Sequence, residues 1–74
     1  MIVCMAEKIE IILNGEAMQV LAEWTANDLV EGLDLRGKRV ALELNGDIIS
    51  HNRWREATLS SGDRVEIVHF VGGG

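Results

Sequence analysis

The stretch Lys8-Ile9-Glu10-Ile11-Ile12-Leu13-Asn14-Gly15-Glu16-Ala17-Met18-Gln19-Val20-Leu21-Ala22 alternates on either side of an Asn-Gly pair. Side chains two apart share a face of a strand, so Ile9, Ile11 and Leu13 form one apolar face, and Met18, Val20 and Ala22 another. Asn-Gly supplies the two positive φ values that the tightest hairpin turn needs. The stretch predicts a β-hairpin whose apolar faces lie together.

Toward the C-terminus the period changes from two to that of a helix. Thr25 is placed as an N-cap, its hydroxyl accepting a bond from an otherwise unpaired backbone N–H. Asp28 falls at the third helical position, near the positive end of the helix. Trp24 before the cap and Leu29 after it are spaced as a hydrophobic staple. Ala26, Leu29, Val30 and Leu33 make one apolar stripe. Gly32 costs about 1 kcal/mol against alanine in a helix interior, so the helix is short.

Residues 36–39 read as a loop, and Val40, Leu42 and Leu44 as one face of a third strand. Asn45-Gly46-Asp47 is a second turn, followed by Ile48-Ile49 as a short strand. Residues 51–61 show no period; Trp54 and Leu59 are the expected core anchors there. Ser61-Gly62-Asp63 is a turn, and residues 64–71 form a last strand. On that strand His69 shares a face with Val65 and Ile67, and is expected to be partly buried and hydrogen-bonded. The order strand, strand, helix, strand, strand, strand predicts an α+β fold, a mixed sheet of four to five strands with one main helix packed on one face. This is the β-grasp arrangement of ubiquitin-like domains, with the last strand beside the first at the sheet centre. The expected organisation is an N-terminal extension over 1–7, the domain over 8–71 and a glycine tail over 72–74.

The 74 residues suffice for one domain, and 47% of them are hydrophobic, enough to form a core without staples. One cysteine, Cys4, closes no internal disulfide, and with two histidines it makes a poor metal set. A net charge of −5 argues against nucleic acid, which demands clustered cations. The partly clustered Arg36, Lys38, Arg39, Arg53 and Arg55 read as solvated loop charges. An acidic protein is steered toward basic surfaces of partner proteins. The apolar opening from Met1 to Ala6 is too short for a signal peptide or a membrane span. A cytoplasmic protein with a reduced thiol is expected, starting at either Met1 or Met5. Neither His51 nor His69 has a nucleophile or base beside it in sequence, so no catalytic site is expected.

Gly72, Gly73 and Gly74 follow the last strand directly. Without Cβ atoms they can thread a narrow cleft, and three extended residues reach about 10 Å past Val71. The ordinary reading of a glycine-rich end is fraying. The functional reading is a terminal carboxylate carried into the active site of a partner. Activated as an acyl-adenylate, that carboxylate becomes electrophilic, and a sulfur nucleophile converts it to a thiocarboxylate. The chain has no phosphate-cradling loop of its own, so another protein must supply the nucleotide site.

From about Lys8 to the end, the chain resembles the ThiS family, the sulfur carriers of thiamine biosynthesis. The resemblance rests on Ile12-Leu13-Asn14-Gly15-Glu16, on Thr25 with Leu29, Val30 and Leu33, and on the run from Val40 to Ile49. Trp54, Leu59, the run from Gly62 to Val68, and Gly73-Gly74 complete it. Residues 1–7, Ser50-His51 and the additional Gly72 depart from the family pattern. The resemblance implies that Gly74 is adenylated and then thiocarboxylated. It also implies a ThiF-like adenylating enzyme using ATP and magnesium, a persulfide sulfur donor, and a ThiG-like thiazole synthase as acceptor. The chain itself would be a cosubstrate and no enzyme. Other readings stay open: a carrier for molybdopterin, cysteine or tRNA thiolation, a ubiquitin-like protein modifier, or a β-grasp binding module with an incidental tail. A ferredoxin of this fold is excluded by the cysteine count.

One helix stripe can cover only one face of the sheet. Ile12, Val68 and Phe70, with Val71, are therefore expected to form an apolar docking patch on the other face, near the tail. The alternative is that residues 51–60, with Trp54, fold over that face.

Overall fold

The computed structural model describes residues 7–35 and 37–70. The expected N-terminal extension with Cys4 (apart from Glu7), together with Arg36, Val71 and the three tail glycines, lies outside them. Strands β1 (Lys8–Leu13) and β2 (Glu16–Leu21) form the hairpin, paired antiparallel from Lys8 with Leu21 to Leu13 with Glu16. Asn14 and Gly15 turn it with φ of 49° and 86°, the two positive values of a type I′ turn. Asn45 and Gly46 repeat this geometry, at 52° and 90°, between β3 (Val40–Leu44) and β4 (Asp47–Ile49).

Strand β5 (Arg64–His69) lies in the middle of the sheet, whose order is β2-β1-β5-β3-β4. It runs parallel to β1, with Ile12 beside Arg64 and Leu13 beside Val65, and antiparallel to β3. The sheet is therefore mixed. This last strand is held from both sides, as β1 and β3 are, so the chain approaches its C-terminal residues from an internal strand of the sheet.

Helix α1 (Ala26–Gly32) begins at Thr25 with a reciprocal cap. The Thr25 hydroxyl accepts from the Asp28 N–H (3.3 Å), and the Asp28 carboxylate accepts from the Thr25 N–H (2.9 Å). Two backbone donors that the helix cannot itself satisfy are thereby paired. Ala26, Leu29 and Val30 pack with Ile11, Val20, Leu42 and Val65 of the sheet. Leu33, expected on the same stripe, is the C-cap and is only partly buried.

The stretch expected to be irregular contains a 3₁₀ helix, His51–Glu56. Trp54 on it is buried, and its Nε1–H donates to the Ile49 carbonyl at 2.9 Å. Leu59 is buried as well, and its N–H donates to the Trp24 carbonyl at 2.8 Å. A single bridge between Thr25 and Thr58 ties this segment to the start of α1. Trp54 and Leu59 thus close the core on the helix side of the sheet. No helix among the described residues is long and apolar enough to cross a membrane.

Candidate functional site

Four bonds fix the path of β5 toward the tail. At its start the Arg64 N–H donates to Oδ1 of Asn45 (2.9 Å), and the Asn45 N–H donates to the Arg64 carbonyl (2.7 Å). Farther on, the Ile67 N–H donates to Oδ1 of Asn14 (2.9 Å), and Nδ2 of Asn14 donates to the Ile67 carbonyl (3.3 Å). Beyond β5 the Phe70 N–H donates to the Arg39 carbonyl at 2.9 Å. Phe70 is thus a fixed point from which residues 71–74 continue. Those residues, Gly74 and its carboxylate included, are outside the described part of the chain.

The expected apolar docking patch is split. Val68 is 50% exposed and Phe70 53% exposed, and the segment 51–60 does not cover Val68. Ile12, however, is half-buried and stands beside Arg64. Arg64 is four residues from Val68, about 13 Å along the strand. Phe70, outside the strand ladder, borders a cleft formed with α1 and β3 instead. Val71 is not among the described residues. The sheet face away from α1 carries Val68 opposite Ala41 and Glu66 opposite Glu43, with Ile48, 75% exposed, on the other side of Glu43. It is an apolar surface interrupted by two facing carboxylates.

The cleft measures about 590 Å³, and Val30, Leu35, Trp54 and Phe70 line it together with Lys38 and Arg39. Lys38, Arg39, Arg53 and Arg55 are exposed, as expected of solvated loop charges, and the first two also edge this hollow. Nothing in the local sequence marks this, because its walls come from segments far apart along the chain. His51 meets Trp54 edge to face, with ring centroids 4.6 Å apart. His69 is exposed, not partly buried as expected. It pairs with Val40 at the end of the β3–β5 ladder, and α1, only seven residues long, does not cover it. No group of three or more metal-ligating side chains comes together among the described residues.

A model of the ThiS family matches residues 11–74. The chain belongs to the ThiS family. The ThiS-family match takes in both Asn-Gly turns, the capped helix, β5 and the three glycines. The chain is similar to the sulfur carrier protein ThiS of Escherichia coli, 32% identical over 65 residues, which are 88% of this chain and 98% of that one. It is also similar to a thiazole synthase of Magnetococcus marinus, 37% identical over 65 residues, 88% of this chain but 20% of that protein. The chain thus spans about a fifth of the thiazole synthases it matches. The crystal structure of the thiamine biosynthesis protein ThiS from Geobacter metallireducens superposes with a TM-score of 0.76 at 28% identity, covering 89% of this chain and all of that one. The ubiquitin-like β-grasp expected from the element order is therefore the fold of a ThiS protein.

Proposed function

We propose that this chain is a sulfur carrier of thiamine biosynthesis, a protein cosubstrate whose reacting group is the carboxylate of Gly74. The observation that carries the reading is the position of β5: central, paired on both sides, and followed by a bonded Phe70 two positions before the first glycine. A strand paired on both sides, with a run of residues without side chains a few positions beyond it, is suited to presenting a main-chain carboxylate in a narrow active site.

The carboxylate attacks the α-phosphate of ATP in the adenylating partner, which holds the magnesium. Pyrophosphate leaves and an acyl-adenylate remains. The terminal sulfur of a donor persulfide then attacks the acyl carbon, and AMP leaves with the bonding pair. A further thiol cleaves the resulting S–S bond, is itself taken to a disulfide, and frees the thiocarboxylate. A thiazole synthase as acceptor is supported by two thiazole synthases that contain a stretch similar to this chain. The face bearing Val68, Ile48, Glu43 and Glu66 suits a partner surface with apolar groups rimmed by cations.

The test is pyrophosphate release with MgATP and a ThiF-type adenylating enzyme. The full chain supports it. A chain lacking Gly74, or bearing one residue after it, folds normally and supports none. Equal release from the shortened chain rejects the reading.

A further inference from the structure

The geometry points to Asn14 as the residue that positions the tail for reaction. This rests on the carrier reading above and adds to it a part played by the first hairpin turn.

The parallel ladder between β1 and β5 has its last main-chain bond where the Asn14 N–H donates to the Val65 carbonyl, at 2.9 Å. If β1 ran straight on, the backbone carbonyl of Asn14 would next accept from the Ile67 N–H. Asn14 instead enters the turn with φ of 49°, which carries the main chain away toward β2. Its side chain fills the vacated position. Oδ1 accepts from the Ile67 N–H at 2.9 Å, and Nδ2 donates to the Ile67 carbonyl at 3.3 Å. A primary amide is a small copy of a peptide group, so the ladder continues by one residue pair without a strand.

Three properties serve here together: tolerance of a positive φ, an acceptor, and a donor on the same short side chain. Glycine tolerates the φ but has no amide, and aspartate has no donor; asparagine combines all three on one planar amide. After Ile67, the described residues of β5 are bonded only toward β3, through the pairs of Val68 with Ala41 and His69 with Val40, and then through the Phe70 N–H to Arg39. Asn14 is thus the last hold from the β1 side among the described residues. It sets the direction in which Phe70 delivers residues 71–74.

The test uses the full chain as the varied substrate of a ThiF-type adenylating enzyme at saturating MgATP. The variants are Asn14→Gly and Asn14→Asp. Thr25→Ala, which weakens the distant helix cap, serves as the control for lost stability. Misdirected tails should lower kcat about tenfold in Asn14→Gly, with KM unchanged, because the docking faces are intact. Asn14→Asp, which keeps the accepted bond, should lie between this and the unaltered chain. Thr25→Ala should keep the original kcat. Amide exchange at Ile67, taken relative to that of the other core amides, should be faster in Asn14→Gly and unchanged in Thr25→Ala. An unaltered kcat in Asn14→Gly, or an equal loss in Thr25→Ala, overturns the positioning role while leaving the carrier reading intact. If the unaltered chain itself is not activated, the carrier reading fails and the positioning role fails with it.

Discussion

The indole of Trp24 lies against Gly32: a β-carbon built at Gly32 would stand 2.9 Å from Cη2 of Trp24 and 3.2 Å from Cζ3. The glycine that shortens the helix also makes room for the ring preceding the helix cap. Alanine in place of a helical glycine ordinarily stabilises by about 0.5–1 kcal/mol. Here Gly32→Ala should instead destabilise, by about 1 kcal/mol, because a half-buried ring must move. In a Trp24→Ala background the same change should become stabilising. A double-mutant cycle by urea unfolding measures the coupling; the same effect of Gly32→Ala in both backgrounds would show that the contact carries no energy.

The reciprocal cap makes a second expectation. Thr25→Ala should destabilise by roughly 1 kcal/mol, and Thr25→Ser should recover most of it. Leu29→Ala, beneath the sheet, should cost more, about 2–5 kcal/mol, by opening a cavity. Comparable losses at both positions would mean that the helix is held chiefly by its cap.

The elements that could be read from the sequence are those fixed by local chemistry. Asn14-Gly15 and Asn45-Gly46 each demand a backbone that few other residues adopt, and both turns fall where expected. Thr25, Asp28 and the apolar stripe place α1, and Arg64 to His69 alternate clearly. The 3₁₀ helix His51–Glu56 was not legible, because one buried anchor in six residues creates no period. The pairing of Asn14 with Ile67 was not legible either: these residues stand 53 positions apart, and the turn alone already accounts for an asparagine there. The spacing within the expected docking patch was not legible, for a matter of register. Alternation tells which residues share a face, but not that Ile12 stands beside Arg64 and four residues short of Val68. At His69 alternation gave a side of the sheet, whereas burial needed a covering helix that is too short to reach it.

Trp54 pins the 3₁₀ helix to the end of β4 through its bond to the Ile49 carbonyl. Trp54→Phe keeps most of the apolar volume and removes the donor. It should destabilise by about 1–3 kcal/mol, the range for leaving a buried polar group unpaired. Thermal unfolding would check this; a change near zero would mean that water replaces the indole at Ile49.

Glu43 and Glu66 face each other across β3 and β5. Like charges directly opposite are destabilising, so Glu66→Lys should raise stability by about 0.2–1 kcal/mol. If this face docks on a basic partner, the same change should raise KM for adenylation, and the effect should shrink with added salt. Phe70→Ala and Val68→Ala should each raise KM while altering stability by less than about 1 kcal/mol, since both side chains are half exposed. Unchanged KM in all three variants would move partner recognition off this face and away from Phe70.

In the proposed carrier, sulfur is held on Gly74. Intact-mass measurement with fragmentation tests it most directly, after incubation with MgATP, the adenylating partner and a persulfide donor. The predicted result is a gain equal to the difference between one sulfur and one oxygen atom, located by the fragments on Gly74 and lost when thiazole synthase and its other substrates are added. A chain whose mass does not change, or whose added sulfur lies on Cys4, would contradict the account.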